Sequence, residues 1–486
     1  MGHWVEYASG TPQAPEPDGP DDRIRPSDAA KLLRRARRIV VGIARAEDRV
    51  TFERLLAQHL GEGSTKLDVV EESWPSYDHI NVQAGLDAWL AEPGRTHQLI
   101  GMVNFRHRDF GLSDLLRSGP DMLHAHGPMP GNVFRVNLPS GPDGQVRACV
   151  RIGLYLVQDG DHAVALFLRS AEPEMGLGTV RLQIAADRPE TAARVAAQVR
   201  KLSLVHNVYR GQVVSFGREM FGERETVLRF HRRPTMTERE LILPADTLAT
   251  IRRQVVGVAE HRELLLAAGQ HLKRGVLLYG PPGVGKTHTV RYLVGRLTGT
   301  TIVELTGDAL GLIGQACSVA RSLQPAMIVV EDVDLIAEDR GAYPGHHPLL
   351  FQLLNEMDGL AEDADVVFLL TTNRADLLEP ALAARPGRVD QAVELPLPDA
   401  EARRRLFDLY RGTLAVDTSR LDSVIERTGG VTASFLKELL RRAAVVAAAD
   451  GRRVLEVSAD DLDTALDELL DTRNSMTRVL LGGQRT

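Results

Sequence analysis

Cysteine is scarce. The 486 residues contain two, Cys149 and Cys317, too far apart in sequence to read as a metal motif. That excludes a disulfide scaffold and fits a reducing cytoplasm, the expected location. No apolar run approaches the roughly 20 residues needed to span a bilayer. Residues 1–22, MGHWVEYASGTPQAPEPDGPDD, lack the basic and apolar regions of a signal peptide. The opening MGHWVE has Glu6 at the position where a myristoylation signal needs Ser or Thr. No His-Glu-x-x-His stretch occurs, which removes zinc-protease chemistry of that type. Neither sign of charge prevails: 58 Lys and Arg against 65 Asp and Glu leave a net −7. Nothing global therefore points to nucleic acid or an anionic membrane as partner.

What is present is enough for about three domains, with the 43% hydrophobic content of a globular chain. Residues 1–26 are rich in Pro, Gly and Asp and are expected as a disordered tail. From Ser27 a helical pattern runs to about Leu60, stopped by Gly61. Its run Lys31, Arg34, Arg35, Arg37, Arg38 reads as a solvated face more readily than as a phosphate contact. Strand patterns dominate from about residue 132, with hairpin turns at SGPDGQ and QDGDH. The expectation is an α+β domain over 27–233, holding no catalytic motif, and a linker over 234–249. Then apolar strands alternate with helical segments: RGVLLYG, TIVELTG, AMIVVED, ADVVFLLTTN and QAVELPL. Continuous apolar strands spaced by helices predict an α/β unit, a parallel sheet covered on both faces, over 250–398. Residues 399–471 predict a small helical subdomain, followed by a polar tail over 472–486.

GVLLYGPPGVGKTHTV sets Gly280, Gly283, Gly285, Lys286 and Thr287 between an apolar strand and a helix, the context a phosphate loop requires. Glycines let backbone N–H groups approach an anion, and the helix directs its positive end at the same place. Lys286 can reach outer phosphates, and Thr287 can ligate Mg²⁺. A P-loop NTPase fold with ATP and Mg²⁺ as cofactors is the expectation.

On these residues the chain resembles the AAA family of ATPases over about residues 250–470. GPPGVGKT is joined by RSLQPAMIVVEDVDLIAEDRG, similar to the second nucleotide motif, and by FQLLNEMDGL, similar to the helix after it. VVFLLTTNRADLLEPALAARPGRVD carries the polar sensor Asn373 and the arginines Arg385 and Arg388. GGVTASFLKELLRRAA looks like the lid segment over the adenine side, which includes Gly430, and VVGVAEHRELLL places Gly257 at the base pocket. The resemblance implies nucleotide contacts from Gly257, Gly280, Pro281, Pro282, Gly283, Val284, Gly285, Lys286, Thr287, His288 and Gly430. It also implies a homo-oligomeric ring, usually a hexamer, completed by arginines from the neighbouring subunit, and an unknown protein client.

The second motif departs from the family pattern. Its acids run Glu331 then Asp332, where the usual order is Asp then Glu. One mitochondrial branch of the family shows the same reversal. Strand register gives Glu331 the magnesium side and sends Asp332 to the opposite face, as the residue that orients the attacking water. Glu331 and Thr287 are then the expected metal ligands. A second departure lies in DALGLIGQA, where Leu312, Ile313 and Gly314 stand where many relatives present an aromatic to the ring pore. Leu312 and Ile313 can face a pore or pack a helix start. The final LLGGQRT lacks the hydrophobic-Tyr-X ending of some proteasomal ATPases, so a protease partner is not expected. Three functions compete. They are a protein-remodelling ATPase, a slow or non-hydrolysing nucleotide-controlled scaffold, and a DNA-remodelling ATPase supported by the Lys31–Arg38 run alone.

Overall fold

The computed structural model describes residues 51–103, 109–117, 128–173, 176–218, 226–335, 348–361, 363–376, 389–449 and 455–471. The expected tails, the Lys31–Arg38 run and the pair Arg385 and Arg388 lie outside the described residues. Among those described, no helix is long and apolar enough to cross a membrane.

The N-terminal sheet is antiparallel. Its strands are β1 (Val70–Pro75), β2 (Arg95–Val103), β3 (Met129–Gly131), β4 (Phe134–Pro139), β5 (Val146–Asp159), β6 (His162–Arg169) and β7 (Thr179–Ala186), in the order β1-β7-β6-β5-β2-β3 with β4 on β5. Both expected hairpin turns occur: Asp159 pairs with His162 around Gly160, and Pro139 pairs with Val146. The face bearing Val157, Val164 and Leu166 packs on α2 (His79–Leu90) and α4 (Pro189–Val205). The face bearing Ile152, Leu154 and Phe167 packs on α1 (Phe52–Leu60) and α3 (Leu112–Leu116). Helices on both faces explain why β5 and β6 read as near-continuous apolar runs.

The second sheet holds β8 (Val213–Arg218), β9 (Thr226–His231), β10 (Arg274–Tyr279), β11 (Thr301–Leu305), β12 (Ala326–Val330), β13 (Val366–Thr372) and β14 (Gln391–Glu394), in the order β14-β10-β13-β12-β11-β8-β9. All its pairings are parallel except β8 with β9. Every residue of β12 and β13 is buried. Met327 and Val329 face the core beneath α5 (Ala245–Arg252) and α6 (Lys286–Arg296). Ile328 and Val330 face the opposite core beneath α7 (Ile313–Ser322) and α8 (Pro348–Asp358). A separate helical core is built by α9 (Ala400–Arg411), α10 (Leu421–Arg427), α11 (Ala433–Ala449) and α12 (Ala459–Leu470). Asp399 and Ser458 cap α9 and α12 with side-chain hydrogen bonds.

Three expectations change. The β8–β9 hairpin, assigned from sequence to the N-terminal unit, pairs with β11 of the second sheet. The reason is burial on both faces: Val213 enters one core of that sheet, and Val214 and Phe216 enter the other. Just beyond it, Arg233 donates to the carbonyls of Val294, Leu297, Gly211 and Thr300, fastening the hairpin to the C-terminal end of α6. The stretch 234–249 is no free linker, because Leu241, Leu243 and Leu248 pack into the core beside α6. Finally, Leu312 and Ile313 are 5% and 0% exposed, packed with Val214 and Phe216. Of their two readings, helix packing is the one observed.

Candidate nucleotide site

The loop after β10 runs through three glycines at positive φ: Gly280 at 144°, Gly283 at 82° and Gly285 at 109°. A Cβ on Gly280 would lie 2.3 Å from the Leu395 carbonyl oxygen, and one on Gly283 would lie 2.8 Å from Ser434 Oγ. At Gly280, both backbone hand and space therefore demand glycine. Gly280→Ala is expected to destabilise the fold by about 1–3 kcal/mol through backbone strain alone. Thermal denaturation checks this, and an unchanged melting temperature would refute it.

Lys286 opens α6 and is 7% exposed. Its Nζ donates to Gly280 O (2.8 Å), Pro281 O (2.9 Å) and Asn373 Oδ1 (2.8 Å). Burial pushes its pKa down, and the carboxylates of Asp332 and Asp334 oppose that shift. Thr287 Oγ1 donates to Glu331 Oε2 at 2.9 Å. A hydroxyl and a carboxylate, both oxygen donors at the mouth of a glycine cradle, suit a hard cation such as Mg²⁺. Among the described residues no group of three or more His, Cys, Asp or Glu side chains could hold a metal by itself.

The reversed acids sit on a turn rather than on the strand. β12 ends at Val330, and Asp332 has φ of 53°. The strand alternation invoked for Asp332 therefore does not set its direction; the left-handed turn does. Asp tolerates that conformation better than most residues. The turn is pinned from β13: the Asp332 N–H donates to Thr371 Oγ1 (3.1 Å), and the Val333 N–H donates to Thr371 O (2.8 Å). Asn373 Nδ2 reaches Asp332 Oδ1 at 3.3 Å. Asn373 thus bridges Lys286 and Asp332.

Sequence reasoning missed Asp334, Thr371 and Thr372. Asp334 Oδ1, on a residue 8% exposed, accepts from Thr372 Oγ1 (2.8 Å) and from the Asn373 N–H (3.3 Å). The third acid of EDVD and the Thr doublet before Asn373 were the available signals. Ser434, at the start of α11, was also missed; its N–H donates to Gly283 O at 3.2 Å, tying the helical subdomain to the loop. Gly430 makes the left-handed turn just before, with φ of 77°. His288 follows Thr287 on α6 and is exposed. Pro282 is exposed on the loop and Val284 is buried under it. Gly257 ends a π-helical segment, Arg253–Gly257, whose Val255 and Val256 share a core with Val284 and Val290.

Residues 276–397 match the family model for the ATPase family associated with various cellular activities, AAA. This segment is an AAA domain. Its relatives include the ATP-dependent zinc metalloprotease FtsH 2 of Sphaerobacter thermophilus, 37% identical over 214 residues, which cover 42% of this chain and 32% of that protein. FtsH of Thermus thermophilus is 33% identical over 216 residues, 42% of this chain and 34% of its own. The proteasome-activating nucleotidase of Thermococcus onnurineus is 30% identical over 259 residues, 51% of this chain and 64% of its own. The chain thus spans about a third of the length of these FtsH relatives. The AAA domain's matched span includes the glycine loop, Glu331, Asp332 and Asn373, and excludes Gly257 and Gly430.

Proposed function

We propose that this chain binds ATP with Mg²⁺, hydrolyses it, and uses the cycle to remodel a protein client as a ring-forming, cytoplasmic homo-oligomer, with a hexamer as the expected ring. The observation that carries the hydrolysis reading is the continuous polar line Lys286–Asn373–Asp332 beside the Thr287–Glu331 pair. Mg²⁺ bound with ATP supplies neutralisation of phosphate charge, and Thr287 and Glu331 would hold it. Lys286 and the loop N–H groups orient the phosphates. Asp332 orients the water, with Asn373 fixing its carboxylate. Arg385 and Arg388 act across the subunit interface, and the N-terminal domain supplies client recognition.

The scaffold reading is kept because of one observation: Leu312 and Ile313 are buried, so they offer no grip to a chain in a pore. Steady-state turnover of the purified full chain separates the two. Wild-type turnover no greater than that of Lys286→Ala, in assembled rings with candidate clients, would establish the scaffold. A mixing experiment tests the shared site. Arg388→Ala subunits are expected to bind ATP but turn over ~10³-fold more slowly, the scale of an arginine acting in trans. Adding Lys286→Ala subunits is expected to restore part of that activity, since an intact pocket can then meet an intact arginine. Mixed complexes with no rescue at any ratio would count against it.

A further inference from the structure

Glu331 and Asp332 exchange a long and a short carboxylate relative to the usual order, and the two side chains differ by one methylene. Resting on the reading above, in which Asp332 orients the attacking water, the shorter arm must be delivered by the backbone. The backbone at Asp332 is the described chain's only non-glycine residue at positive φ. A non-glycine residue holds that conformation only where its surroundings fix it. The side chain that helps fix it here is Thr371, whose hydroxyl accepts the Asp332 N–H at 3.1 Å, beside the backbone bond from Leu335 N–H to Asp332 O at 2.9 Å. Thr371 is 1% exposed and sits two residues before Asn373, on the strand that also takes the Val333 N–H at its carbonyl. The next hydroxyl, on Thr372, donates to Asp334 Oδ1 at 2.8 Å, so both ends of the turn are tied to the same two threonines.

We propose that Thr371 is a positioning residue for hydrolysis: its hydroxyl holds the left-handed turn at Asp332 and so adapts the site to the reversed acids. Thr371 is buried and acts through Asp332. Its loss lets the turn relax and withdraws a short carboxylate. A carboxylate one methylene longer has reach to spare and depends less on the turn.

The test uses the full chain. Thr371→Val keeps shape and removes the acceptor; Thr371→Ser keeps the acceptor. Displacement of a reacting group on the order of 1 Å costs ~10²-fold. Thr371→Val is therefore expected to lower kcat ~10–100-fold with ATP affinity, by calorimetry, within about twofold, whereas Thr371→Ser stays near wild type. In the exchanged background Glu331→Asp with Asp332→Glu, the same Thr371→Val change is expected to cost less than about threefold. If Val at this buried position prevents folding, Thr371→Ala replaces it in both backgrounds. Equal losses in the two backgrounds would mean a general packing role and overturn the proposal. So would unchanged kcat for Thr371→Val in the native background. A wild type without turnover above Lys286→Ala would remove the hydrolysis reading, and this proposal with it. A wild type that turns over, and keeps doing so without the Thr371 hydroxyl, removes this proposal alone.

Discussion

Lys286→Ala is expected to lose at least ~100-fold in ATP affinity while keeping its fold. Two effects set the scale. A charge-assisted hydrogen bond is worth about 1.5–3 kcal/mol, and an ammonium reaching two phosphate oxygens makes more than one. Against this stands a competitor that the structure makes visible. All three hydrogens of Lys286 Nζ are already held, by Gly280 O, Pro281 O and Asn373 Oδ1. Phosphate binding must therefore displace at least one of these acceptors, and the two carbonyls belong to the loop itself. Asn373 is the exposed partner outside the loop, so displacing it would couple phosphate binding to the Asn373–Asp332 contact. The fold survives the substitution because alanine suits the first turn of α6 and no apolar core is cut. Calorimetric titration of both proteins checks the affinity, and circular dichroism checks the fold. Equal affinities would eliminate the phosphate-loop assignment.

The parts of this site that the sequence displays are those whose local chemistry is self-sufficient. Gly280, Gly283 and Gly285 are visible because their positive φ values leave glycine as the residue of choice. β12 and β13 are visible because burial on both faces leaves β12 wholly apolar and β13 apolar up to its closing Thr371 and Thr372. The β8–β9 hairpin was misassigned because a strand pattern carries no record of its neighbour. Its apolar residues fit either sheet, and only the β11 edge decides. Thr371, Thr372 and Asp334 stayed hidden for a related reason: their roles exist only once the ends of β12 and β13, about forty positions apart in sequence, lie side by side. The segment 234–249 reads as a linker because of Pro234, Pro244 and its charges, although three leucines bury it. Leu312 and Ile313 were ambiguous because an aliphatic pair at a helix start suits a pore and a core equally, until Val214 and Phe216 of the hairpin cover them.

Asp332→Asn is expected to stop turnover and leave ATP and Mg²⁺ binding nearly intact, giving an ATP-loaded assembly. The substitution is conservative where it matters for structure. Asn accepts a left-handed backbone at least as readily as Asp, so the turn at φ of 53° survives. Its amide oxygen can still take the Asn373 Nδ2 hydrogen that Asp332 Oδ1 takes now. What it cannot do is accept a proton from water, because an amide lacks the basicity of a carboxylate. Nor is Asp332 placed to hold the metal, since Thr287 Oγ1 meets Glu331 instead. Glu331→Gln is therefore the contrasting variant: it is expected to raise the Mg²⁺ concentration needed for half-maximal nucleotide binding, while Asp332→Asn leaves that concentration unmoved. The measurement pairs single-turnover hydrolysis with nucleotide occupancy of the isolated complex. Occupied sites with product formation below ~1% of wild type are expected for Asp332→Asn, on the scale of losing a positioned general base. Turnover at the wild-type rate would show that Asp332 does not orient the water, and Glu331 would become the carboxylate to test.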